Sequence, residues 1–211
     1  MYEVCINSDY GKHKKTRVKN FLVHNKLLVF FSTCLLLGVF CGSQIMTFAD
    51  ENTLRFINIL FSSEIQERIT KPCLNFFITS LSLTFFFLVM AFFMGLSMYG
   101  FVLTPILPFL RGVCIGMSEA YLYSAYSLKG LCLHSLIFLP GVFVSSLAIL
   151  AETKEAFKMS SKLSALAFSK DNPCISSELK RYFFCSGFIT LLAPISAGVD
   201  LIMNFVTGKI F

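Results

Sequence analysis

Residues 27–46 read LLVFFSTCLLLGVFCGSQIM and residues 74–98 read LNFFITSLSLTFFFLVMAFFMGLSM, with no charged residue in either run. An α-helix rises about 1.5 Å per residue, so roughly 20 apolar residues match a hydrocarbon core about 30 Å thick. Runs of this kind constrain the chain more than any motif does. Further apolar stretches place a third span at about Phe101–Tyr126, a fourth at about Leu131–Ala151 and a fifth at about Tyr182–Val206. Composition agrees, with 55% of the residues hydrophobic and 14% charged, against about a quarter charged in soluble domains. The expected fold is all-α: a polytopic integral membrane bundle of about five transmembrane helices with interfacial amphipathic helices. A basic segment, 1–26, precedes a multi-span membrane domain, 27–211. The long leading segment and the length of the first apolar run argue against a cleaved signal peptide.

Lysine and arginine asymmetry sets the expected orientation. Lys12, Lys14, Lys15, Arg17, Lys19 and Lys26 precede span 1, and Lys154, Lys158, Lys162, Lys170, Lys180 and Arg181 lie between spans 4 and 5. The connection between spans 1 and 2 holds Arg55, Arg68 and Lys71 against Asp50, Glu51, Glu64 and Glu67. An odd number of spans puts both basic regions on one side, the cytoplasm. The expected location is a cell membrane, with the N-terminus inside and the C-terminus outside.

The net charge of +6 belongs to these flanks and does not point to nucleic acid. The eight cysteines form no CxxC pair and no Cys/His cluster, so neither a disulfide framework nor a metal site is expected. H-E-x-x-H, G-x-S-x-G and P-loop patterns are absent. The expectation is a protein that is not an enzyme and has no cofactor, with membrane lipids and other membrane proteins as its partners; cell-wall proteins enter only through the resemblance described below.

Two polar patterns stand out against this background. In the connection between spans 1 and 2, Leu54, Ile57, Phe61 and Ile65 recur at helical spacing among polar residues. That pattern fits a helix lying in the interface, and it equally fits a docking face for an extracytoplasmic partner. A second amphipathic stretch, with Phe157, Met159, Leu163, Leu166 and Phe168 among Lys154, Lys158 and Lys162, reads as a basic surface helix beside an anionic leaflet.

Inside the spans, charges are costly and mark candidate sites. Arg111, Glu119 and Asp200 are the candidates, with Arg111 expected to pair with Asp200 or Glu119 or to snorkel towards an interface. Gly112 and Gly116 form a G-x-x-x-G, a spacing that lets two helices approach closely. Pro105, Pro108, Pro140 and Pro194 predict bends or breaks.

The stretch 95–163 resembles the stage II sporulation protein M family. Gly95 and Gly100 match its Gly-rich end of span 2. Arg111 with Gly112 and Gly116 matches its basic residue followed by G-x-x-x-G. Gly130, Leu139-Pro140 and the basic run Lys154 to Lys162 match in the same order. The resemblance implies a non-enzymatic scaffold in the mother-cell membrane of endospore-forming bacteria. Such a scaffold recruits the peptidoglycan-remodelling stage II sporulation proteins D and P for forespore engulfment. The prolines and intramembrane charges also fit a second class, a permease subunit working with a separate ATPase.

Overall fold

The computed structural model describes residues 26–48, 73–168 and 175–208, with the side chains of 125–138 among those outside the description. The basic segment 1–25 and the amphipathic stretch carrying Leu54, Ile57, Phe61 and Ile65 lie outside the described residues. The described secondary structure is entirely helical: α1 Lys26–Thr47, α2 Cys73–Leu96, α3 Gly100–Leu103, α4 Ile106–Phe168, α5 Ile175–Thr190 and α6 Leu192–Gly208. Helix α1 matches the expected first span within a residue at each end.

Among the described residues, Lys26–Thr47, Gly100–Tyr121 and Ser176–Ile202 are long and apolar enough to cross a bilayer, and Ser80–Leu96 is a shorter apolar helix. Span 4, expected at 131–151, begins among residues whose side chains are not described.

Helical backbone is continuous over the 63 residues of α4, yet α4 is not straight. A straight helix would hold Arg111 and Ser145 about 50 Å apart, but Arg111 Nη2 donates to Ser145 Oγ at 2.9 Å. Ser160 Oγ likewise accepts from the backbone N–H of Phe101 at 2.7 Å. Both pairs are centred near Lys129-Gly130, so α4 doubles back there into a first limb and a second limb. This is where the sequence places the turn between spans 3 and 4.

Prolines account for the remaining interruptions. Pro105 and Pro108 stand at the junction where α3 ends and α4 begins, and a proline in a first helical turn removes no bond the helix would have made. The break in the last span falls at Leu191, not at Pro194. Pro194 has no N–H for the carbonyl four residues back and its ring crowds that carbonyl. That residue is Thr190, the last of α5.

The exposed surface is apolar and the interior is partly polar. Phe40, Phe86, Phe93, Phe143, Phe184 and Phe188 are all more than half exposed, whereas Thr84, Thr104, Arg111, Ser145, Glu152, Ser160, Ser186, Ser196 and Asp200 are buried. In water an apolar surface this continuous would drive association; in lipid it is the solvated face. The molecule is a helical membrane bundle. Its central cluster joins Phe87, Leu88 and Ala91 of α2 to Leu107, Ala148 and Ile149 of the two limbs and Ala193 of α6.

The basic stretch 154–168 is the uninterrupted end of α4, not a separate helix. Ala156 and Met159 are buried with Tyr182 of α5, and Leu163 packs against the same cluster. Its apolar face is covered by protein because α5 folds back over it.

Candidate functional site

Buried polar groups in this bundle must find partners on neighbouring helices, since lipid offers none. Four contacts join the helices, three of them through such groups.

The first is made by glycines. A Cβ built on Gly38 would overlap the carbonyl oxygen of Phe109, and one on Gly42 that of Val113. Reciprocally, a Cβ on Gly112 would overlap the Leu35 carbonyl and one on Gly116 the Val39 carbonyl. Two G-x-x-x-G motifs therefore lie face to face. The contacts advance together along both chains, so α1 and the first limb run parallel. Gly112 and Gly116 were legible as a packing motif; Gly38-x-x-x-Gly42, in LLLGVFCG, carries the same signal and is its partner.

The second is Arg111. It is 5% exposed, so its guanidinium is held inside the bundle and does not snorkel to an interface. Besides Ser145, it lies over the Phe87 ring at 5.7 Å, a cation–π contact worth about 0.5–2 kcal/mol. Ser145 passes its own proton to the Val142 carbonyl at 3.0 Å, which leaves its lone pairs for the arginine. Asp200 is near enough to act on the Arg111 charge. Glu119 stands about 12 Å further along the first limb, half-buried, and takes no part in this contact.

The third surrounds Asp200 on α6, which accepts from Ser80 Oγ of α2 at 2.6 Å. Its carboxylate occupies the space a side chain at position 141 would fill. Ser196 Oγ donates to the Gly141 carbonyl at 2.9 Å. Pro140 continues within the helix, and Gly141 beside it is the notch that admits the acid. Three helices meet here through one carboxylate and two serines.

The fourth lies where the second limb packs along α5, and Glu152 is the first residue past the expected end of span 4. Glu152 is fully buried, and Ser186 Oγ donates to its Oε1 at 2.6 Å. Tyr182 stacks on Phe92 at 5.5 Å and donates to the Phe92 carbonyl at 3.0 Å, and a Cβ at Gly95 would overlap its hydroxyl. Ser160 Oγ donates to the Ser97 carbonyl at 2.6 Å. Lys158 and Arg181 approach Glu155 at 2.7 and 3.6 Å, and Lys162 meets Glu178 at 2.8 Å. Glu152 and Ser186 escaped sequence reasoning because Glu152 adjoins a lysine-rich stretch and reads as part of a wet surface.

Among the described residues no group of three His, Cys, Asp or Glu side chains could hold a metal ion. In comparison with known proteins, the family model for Stage II sporulation protein M matches residues 27–198. No curated protein and no solved structure matches.

Proposed function

Because the chain belongs to the stage II sporulation protein M family, we propose that it is a multi-pass membrane scaffold that positions peptidoglycan-remodelling partners during forespore engulfment. On this reading it is not an enzyme. The observation that carries it is how the buried polar groups are used. Arg111, Asp200, Ser80, Ser196, Ser186 and Ser160 each hold one helix to another. Such bonding stiffens a bundle and makes it a platform for parts outside it.

The proposed topology has five spans, with the N-terminus cytoplasmic and the C-terminus outside. What supports it is the parallel course of α1 and the first limb, the reversal of α4, and the Lys/Arg asymmetry. The 49–72 connection then faces outward, and Leu54, Ile57, Phe61 and Ile65 are its proposed docking residues.

Crosslinked affinity purification from the native bacterium in mild detergent tests the proposal. Recovery of peptidoglycan hydrolases, lost in a well-inserted Phe61→Asp variant, is the expected result. Recovery of an ATP-binding-cassette ATPase in their place would overturn it in favour of a permease subunit.

A further inference from the structure

We propose that Glu152 is a proton-binding site between the second limb of α4 and α5, and that release of its proton loosens α5 from that limb. The inference does not rest on the scaffold reading. Glu152 is 0% exposed. One carboxyl oxygen accepts from Ser186, and the other, Oε2, is buried without a hydrogen-bond partner. Among the described residues no cation pairs with it: Lys158 and Arg181 engage Glu155, and Lys162 engages Glu178. A buried carboxylate with one oxygen unsatisfied and no counter-ion is among the costliest groups a protein can hold. Binding a proton removes the charge.

Among the described residues, the following groups offer no other remedy. From its own helix Glu152 is faced by Glu155, one turn on, which disfavours a second negative charge. From α5 come Tyr182, whose hydroxyl is committed to the Phe92 carbonyl, and Arg181, held by Glu155. The stretch of α2 packed here, Phe92–Leu96, has no titratable side chain. The single charge in α1 is Lys26 at its first residue, and α1 meets this end of the limb through Phe31 on Phe157. In α6 the acid is Asp200, which sits against Gly141, three turns away.

The cover over Glu152 comes from α5. Ser186 bonds it directly, and Tyr182 is seated in the notch left by Gly95. Water can reach a deprotonated Glu152 only if these residues move, which couples the proton to the docking of α5. The closed form, with one carboxyl oxygen unsatisfied, holds the proton more tightly than the open form. Opening therefore becomes easier as pH rises through the range between the two, by roughly tenfold per pH unit, and levels off above it.

Hydrogen exchange of residues 175–190 in lipid nanodiscs, corrected for intrinsic pH dependence, measures the opening constant directly. The expected result is that rise, ending in a plateau, in the wild type and a flat, closed profile in Glu152→Gln. Identical profiles in the two proteins would overturn the proposal. Should Glu152→Gln not fold, dicyclohexylcarbodiimide, which modifies protonated carboxyls in apolar surroundings, decides on the wild type alone. Label on Glu152 at pH 6 that fades by about pH 8.5 supports the site. No label, or label independent of pH, refutes it.

Discussion

Arg111 donates to the hydroxyl of Ser145, thirty-four residues further along one continuous helix, at 2.9 Å. This bond ties the two limbs of α4 together near the centre of the bundle. Ser145→Ala would take away the acceptor and leave part of the guanidinium unsatisfied. The expected cost is about 1–3 kcal/mol, measured by reversible unfolding in mixed micelles. Ser145→Thr, which keeps a hydroxyl, should recover most of it.

The paired glycines give a sharper test. Gly112→Ala and Gly38→Ala each force a methyl against a backbone carbonyl of the facing helix, and only separation of the helices relieves it. Each should destabilise by about 1–3 kcal/mol. The double variant should fall short of their sum, because the helices separate once. Gly187→Ala and Gly198→Ala have nothing within 4 Å of the added carbon and should be close to neutral.

At the Asp200 node, Gly141→Ala would push the carboxylate out of its notch and away from Ser80. It should therefore resemble Ser80→Ala combined with a packing defect, and be the worse of the two. The comparison is made on thermal stability in one detergent. Asp200→Asn keeps the shape and should be milder than Gly141→Ala.

The exposed pair Lys162–Glu178 is expected to behave differently from the buried nodes. Lys162→Ala should cost little, and the cost should shrink further in salt. A large loss that salt reduces would show that this end is held by that ion pair and not by Tyr182 and Met159.

Much of the fold was readable because lipid imposes long apolar runs. The first span and the turn near Gly130 could be located from composition alone. The break at Leu191 could have been placed too, by counting four residues back from Pro194. Partners were harder. Gly112 and Gly116 announce a close approach, but the sequence does not say that Gly38 and Gly42 are what approaches. Arg111 was expected to pair with Asp200 or Glu119 or to snorkel; the sequence did not point to Ser145, which takes its hydrogen bond, because helix packing decides which side chain stands opposite. Glu152 was hidden by its address: next to lysines it reads as surface, and only the return of α5 buries it.

The face-to-face glycines carry a consequence for biogenesis. Position 38 meets position 109, so α1 enters the membrane while its counterpart is still some seventy codons from being read. At roughly 5–20 residues per second, the glycine face of α1 is left uncovered for several seconds. During that interval it is a target for any other small-residue helix nearby, and the newborn chain depends on lipid or an insertion chaperone to keep that face vacant until residue 116 has emerged.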